Sequence, residues 1–310
     1  MLARLAPSPT GYLHIGNARS FLLAWLQARS VGGKIILRIE DLDQARAVGG
    51  ADKDIVRDLE WLGLDWDNEL TPDYYQSKRF NLYQSALDRL AAQDLLYPCY
   101  CSRKELAEAM SAPHSPAGRY PGTCRNLTAS ERKSREVEKE PALRFRVDPG
   151  RVIEFNDLIC GTIRSDVYEE TGDFIVARAD GVPSYQLAVV LDDIAMRVTH
   201  ILRGNDLLDS TPRQLLLYQT LKASPPTYAH VPLILGSDGK RLAKRHGSVS
   251  IAEIRASGGR PEEVIGWLAW SCGLRSERRD ITARELVQDF ELAQLKRNET
   301  VLTSLNLFSR

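Results

Sequence analysis

The sequence predicts an α/β protein: a parallel-sheet core, an insert rich in Cys, Pro and Gly, and a helical C-terminal stretch. Three observations predict it. Within roughly the first 40 residues the chain reads strand, loop, helix, strand, which is the βαβ unit of a parallel sheet. After Pro98 the texture changes abruptly to loop-forming and charged residues. Beyond Gly247 the apolar residues return at helical spacing.

Residues 2–6 form a short apolar run that stops at Pro7, as expected of a buried strand. Pro7-Ser-Pro-Thr-Gly11 is turn chemistry. From 15 to 28 the positions Ala18, Phe21, Leu22, Trp25 and Leu26 mark one helix face, ended by Gly32-Gly33. Residues 34–40 read as a second buried strand. Helical patterns are predicted over 51–62 and 74–96. The charged run 131–140 reads as a solvated loop or helix face. Residues 174–186 carry a hairpin signal around Asp180-Gly181. Residues 198–202 and 231–235 read as buried strands, separated by a helix that begins at Pro212, and Pro261 opens another helix. Residues 1–98 and 181–247 are therefore expected to be two halves of a core, 99–180 an insert and 248–310 a helical subdomain.

The totals exclude several classes. With 310 residues, 43% of them hydrophobic and 26% charged, the chain is not a disordered one. Lys plus Arg and Asp plus Glu are both 41, so no global field announces a nucleic-acid partner and any basic surface is local. No apolar run approaches the ~20 residues needed to cross a bilayer, and the N-terminus does not read as a signal peptide. The expectation is a cytoplasmic monomer without a membrane partner.

Two stretches carry phosphate chemistry. His14-Ile-Gly-Asn17 lies where the first loop becomes the first helix, and free N–H groups with the helix dipole favour an anion there. Gly16 lets a flat base approach the backbone, and His14 can donate to a phosphate oxygen. Gly239-Lys-Arg-Leu-Ala-Lys-Arg-His-Gly247 is a Gly-bounded loop with four Lys and Arg cations. Taken singly, a structural histidine and a solvated basic loop explain them.

Together they resemble something specific. Arg4-Leu-Ala-Pro-Ser-Pro-Thr-Gly-Tyr-Leu-His-Ile-Gly-Asn17 resembles the opening of glutamyl-tRNA synthetases, with the first class I signature as HIGN. Arg241-Leu-Ala-Lys-Arg245 resembles their second signature, KLSKR. Residues 38–43, 183–193 and 201–205 are similar to the stretches that bind the amino acid. Asn17, Arg241, Ala243 and Val189 depart from the usual pattern. The resemblance implies a Rossmann-type core. It also implies ATP contacts from His14, Gly16, Asn17, Arg241, Lys244 and Arg245, with Mg2+ accompanying ATP. His14 and Lys244 are the implied stabilisers of transition-state charge.

Free glutamate has two carboxylates and one ammonium, so its site needs cations and an anion. Arg4 and Arg203 at strand ends can take the carboxylates and Glu40 the ammonium. Ser8 and Tyr185 can supply hydroxyls, and Ala6 belongs to the same implied pocket. For any one of these alone, a surface ion pair or a cap is the simpler reading.

Cys99 and Cys101 are two apart, and Cys124 follows 23 residues later. Three soft ligands suggest one structural zinc, which wants four ligands; free thiols are the alternative. His114 is the usual chemical choice for the fourth, whereas the resemblance implies Tyr120. Cys160 and Cys272 read as core residues.

Only 65 residues follow Arg245, fewer than the anticodon-binding domains of full synthetases require. With the Cys pattern, this makes the chain similar to the short paralogues that activate glutamate and attach it to queuosine in the anticodon of tRNA(Asp). A truncated enzyme charging the tRNA 3′ end, and a non-catalytic nucleotide-binding paralogue, are the alternatives.

Overall fold

The computed structural model describes residues 1–102, 104–106, 119–240, 242 and 250–302. The chain opens with β1 (Leu2–Leu5), α1 (Ile15–Arg29) and β2 (Lys34–Leu37), and β1 and β2 pair in parallel. A second parallel pair is formed by β8 (His200–Gly204) and β9 (Thr227–Val231). The Thr199 N–H donates to the Leu2 carbonyl at 2.9 Å, which sets β8 beside β1.

Side-chain alternation covers both faces of these strands. Ala3, Leu5, Ile35, Leu37, Leu202, Ala229 and Val231 join one apolar cluster, together with Leu22 and Leu26 of α1. Ile36, Ile201 and Tyr228, one residue out of step, join the other, with Leu187, Val190 and Leu216. A period of two on strands with helices on both sides is the pattern of a doubly covered parallel sheet. The second face is the one that matters for chemistry. Arg4, Arg203 and His230 have the same parity as its members, so their polar groups point between the sheet and the helices α6 (Tyr185–Ala195) and α7 (Thr211–Thr220).

The middle of the chain is antiparallel. β3 (Leu96–Cys99), β4 (Ala142–Phe145) and β7 (Phe174–Ala177) form one sheet, and β5 (Val152–Asp157) with β6 (Gly161–Asp166) forms a hairpin. α4 (Ala129–Glu136) buries none of its residues, in line with the solvated face expected there. A Thr128–Glu131 capping box starts it. α2 (Ala51–Trp61), α3 (Phe80–Ala91) and the short α5 (Val167–Glu170) complete the part before α6.

At the C-terminal end, α8 (Ile251–Ala256), α9 (Pro261–Ser271) and α10 (Ala283–Leu286) send Ile254, Val264, Leu268 and Leu286 into the cluster that contains Leu5 and Leu22. β11 (Thr300–Val301) pairs with β10 (Ile234–Leu235), and Arg19 of α1 donates to Thr300 Oγ1 and the Pro232 carbonyl. No described helix is long and apolar enough to cross a membrane.

Four sequence expectations need correction. The hairpin expected over 174–186 has only its first strand, β7: Ala177 and Pro183 form a single bridge across the turn, and Tyr185 already begins α6. The helix expected over 74–96 is only α3, because Pro72 starts 3-10 turns before it and Leu96 already belongs to β3. The strand expected over 231–235 is two short strands: Pro232 has no N–H to donate to a ladder and parts β9 from β10. Cys160 is exposed at the β5–β6 turn and is not a core residue, whereas Cys272 is buried.

Candidate active site

A cavity of about 700 Å³ opens where β1, β2 and β8 end. Arg4, Ala6, Ser8, His14, Gly16, Asn17, Glu40, Tyr185 and Arg203 all line it, so one space collects every described residue expected to touch amino acid or nucleotide. Arg241, Lys244 and Arg245 lie outside the described residues. Leu242, between them in sequence, lines the same wall.

The buried charges beside this cavity form two groups. In the first, Arg38 donates to Asp193 at 2.7 Å and to Glu40 at 2.9 Å, and Arg4 Nε lies 3.5 Å from Asp193. Asp192 accepts from Arg79, Gln76 and Tyr83. Glu40 follows the end of β2, and its N–H donates to the Pro7 carbonyl, which fixes it against the signature loop. Burial raises the pKa of its carboxyl, against the pull of Arg38 and Arg4. A cation bound there would favour the charged form further.

Arg203 stands apart. Its hydrogen-bond partners among the described residues are the ring of His230, Thr211 Oγ1, Gln214 Oε1, the Leu207 carbonyl and, at 3.4 Å, Tyr185 Oη, and it lies over the Tyr228 ring. None of these is a carboxylate. A buried guanidinium held by neutral groups is the uncompensated charge that an anionic substrate group satisfies.

His14 is the N-cap of α1, and its Nδ1 accepts the Asn17 N–H at 3.4 Å. The neutral ring therefore carries its proton on Nε2. A Cβ on Gly16 would come within 3.2 Å of the His14 ring, so the missing side chain serves the histidine's placement as well as access to the backbone. At the rim, Arg178 pairs with Asp43 at 3.5 Å, a contact that the sequence did not single out.

The cysteines gather elsewhere, around β3. Cys99, Cys101 and Cys124 hold their sulfurs within 4.8 Å of one another, and Cys101 and Cys124 are 3.6 Å apart. Tyr120 Oη lies 3.6 Å from Cys99 Sγ and 3.8 Å from Cys101 Sγ. A tetrahedral zinc with Zn–S of ~2.3 Å spaces its sulfurs about 3.8 Å apart, so the donor set fits one metal ion. Arg144 donates to Cys99 Sγ at 3.1 Å and stacks on the Tyr120 ring at 3.6 Å, which offsets the negative charge of such a set. The hydrogen bond with Cys124, then Arg144, draws the Cys99 thiol down, while the same bond pushes Cys124 up. His114 falls outside the described residues. None of the four donors lines the cavity.

Residues 1–309 match the catalytic domain of class I tRNA synthetases (E and Q). The chain belongs to this family. It is 53% identical over 308 residues to a glutamyl-Q tRNA(Asp) synthetase of Symbiobacterium thermophilum, covering 96% of this chain and 94% of that protein. It is 44% identical to a glutamate–tRNA ligase of Syntrophus aciditrophicus, covering 93% of this chain but 61% of that one. The crystal structure of the glutamate–tRNA synthetase of Elizabethkingia anophelis superposes with a TM-score of 0.83 at 28% identity, over 99% of this chain and 69% of that one. A ligase of Elizabethkingia meningosepticum, solved in complex with its amino acid, gives 0.81 at 27%, over 99% and 68%. The fold of this synthetase-family chain is thus the class I catalytic fold, α/β with parallel strands.

The residues missed in the sequence are supports. Arg38 follows β2, Asp193 lies in α6 and His230 in β9; the first two fall in stretches the resemblance marked, without a role of their own, and a polar residue in or beside an otherwise apolar element was the available signal. Asp157 gave none: an Asp at the end of a hairpin strand is ordinary turn chemistry.

Proposed function

We propose that this chain activates L-glutamate with ATP and transfers it to the cyclopentenediol of queuosine in the anticodon of tRNA(Asp). One observation carries the reading: a single cavity is lined by both the His14–Asn17 helix start and a set of charges suited to a dicarboxylic amino acid. Relatives named glutamyl-Q tRNA(Asp) synthetase, matched over 94% and 86% of their lengths at 53% and 50% identity, support the acceptor. In this reading Arg4 and Arg203 take the carboxylates, Glu40 the ammonium, and Ser8, Ala6 and Tyr185 close the pocket. An oxygen of the α-carboxylate attacks the α-phosphorus of ATP, the bond to the β-phosphate oxygen breaks, and pyrophosphate leaves. A queuosine hydroxyl then attacks the carbonyl of the adenylate and AMP departs. The chemistry needs positioning and charge stabilisation more than a dedicated base.

His14, Gly16, Asn17, Arg241, Lys244 and Arg245 form the ATP side, with Lys244 and His14 facing the charge that builds on the phosphates. Mg2+ bound with ATP would supply further charge neutralisation. Cys99, Cys101, Tyr120 and Cys124 would hold one zinc, which fastens the insert and lowers the pKa of the Tyr120 phenol. Within this reading 1–98 and 181–247 are the core, 99–180 the acceptor-side insert and 248–310 a helical subdomain, working as a cytoplasmic monomer. A second reading, charging of a tRNA 3′ end, draws on the similarity to glutamate–tRNA ligases.

Glutamate-dependent ATP–pyrophosphate exchange without tRNA tests the activation step. The intact chain should catalyse it, and Lys244→Ala should slow it by ~10²–10³ with little change in the KM for glutamate. No exchange by the intact chain would contradict activation. Exchange by Lys244→Ala within about a factor of two would remove Lys244 from the mechanism.

A further inference from the structure

Arg203 and His230 are register partners on the parallel strands β8 and β9, so the ladder sets them side by side. Arg203 Nε–H donates to His230 Nε2 at 2.9 Å. Across the ring, His230 Nδ1 is 2.6 Å from Asp157 Oδ2. Asp157 ends β5, in the hairpin of the middle region, and its other oxygen accepts the N–H groups of Ile159, Cys160 and His230 at 2.9, 2.9 and 3.2 Å. All three side chains are buried.

The chemistry of the flanking groups fixes the ring between them. Arginine only donates, and an ionised carboxylate only accepts. The imidazole must therefore hold its proton on Nδ1 and present the Nε2 lone pair to Arg203. The Nη2 side of Arg203 is spent on Thr211 Oγ1 at 2.9 Å and Gln214 Oε1 at 2.8 Å. With Nε and Nη2 both tied, the guanidinium plane is set, and Nη1 is left with Tyr185 Oη at 3.4 Å beside the cavity.

We propose that Asp157 and His230 are positioning residues for amino-acid recognition: by fixing the imidazole tautomer they aim Arg203 at a carboxylate of the bound substrate. Through Asp157, the region between the two halves of the core takes part in that recognition as well as in any contact with the acceptor. The proposal rests on the reading that Arg203 binds glutamate.

The test uses the purified full chain and glutamate-dependent pyrophosphate exchange. In Asp157→Asn the amide oxygen stays with the three backbone N–H groups, so its NH2 faces Nδ1. The ring must then move its proton to Nε2, and two donors meet at Arg203. The KM for glutamate should rise by about tenfold to a hundredfold, while kcat and the KM for ATP stay within about threefold. His230→Leu removes the ring that links the two. Its KM for glutamate should also rise, and adding Asp157→Asn to it should change little. An unchanged KM in Asp157→Asn, an equal rise in both backgrounds, or failure of Asp157→Asn to fold would overturn the proposal. Absence of exchange by the unaltered chain would instead overturn the functional reading, and this proposal with it.

Discussion

Arg38 is fully buried and shares its guanidinium between Asp193 and Glu40, with Asp192 at 3.9 Å. Burial works against its charge, but the three carboxylates hold it protonated. Removing one partner of such a cluster leaves the others uncompensated, so Arg38→Met should cost about 3–5 kcal/mol in urea unfolding. A loss below about 1 kcal/mol would contradict the account of this cluster. Asp58 offers a pH test. It is buried on α2 with Arg255 of α8 at 3.1 Å, and burial, opposed by Arg255, raises its carboxyl from 3.8 to about 6. The folded chain thus binds this proton more tightly than the unfolded one, and the carboxylate's penalty is relieved as pH falls through about 6 toward 3.8. The melting temperature of Asp58→Asn relative to the unaltered chain should be higher at pH 8 than at pH 5. Parallel pH profiles for the two would contradict the sign. At this scale the cavity-facing residues were legible, because each sits in a motif or at a strand end. The residues that brace them were not, because a brace is defined by partners distant in sequence: Asp157 and His230 are 73 positions apart.

The elements were legible where one face is apolar and blurred where punctuation cuts a run. α1, α2 and α9 follow the helical spacing closely, and Pro261 starts α9 as expected. Pro232 divided an apolar run that periodicity alone reads as one strand. α9 also carries a close approach that no periodicity reveals. A Cβ on Gly266 would stand 1.9 Å from the Arg279 carbonyl oxygen, so Gly266→Ala must displace backbone. It should cost about 1–3 kcal/mol and lower the melting temperature; an unchanged melting temperature would contradict this packing. The cysteine-bearing segment makes a separate prediction. Metal analysis should find about one zinc per chain, and Cys101→Ser should lose it and become protease-sensitive between β3 and β4. Pyrophosphate exchange should persist in that variant, since none of the donors lines the cavity. Retention of zinc in Tyr120→Phe would remove Tyr120 from the ligand set.

On the scale of the whole molecule, the proposed function pairs a cavity whose charges could take glutamate and ATP with an acceptor named by the glutamyl-Q relatives. In both readings the attacking group is a hydroxyl, of an anticodon nucleoside in one and of a 3′ ribose in the other. A site shaped to hydrogen-bond that hydroxyl strongly rejects an analogue lacking it, so the acceptor's own diol is the discriminating group. The most direct measurement is therefore transfer of labelled glutamate to tRNA(Asp) with queuosine or unmodified guanosine at the wobble position, each with and without its 3′-terminal adenosine. The account predicts transfer only to the queuosine-containing tRNA, undiminished when the terminal adenosine is removed. Equal charging of the guanosine form, or loss of charging with the 3′ adenosine, would contradict it.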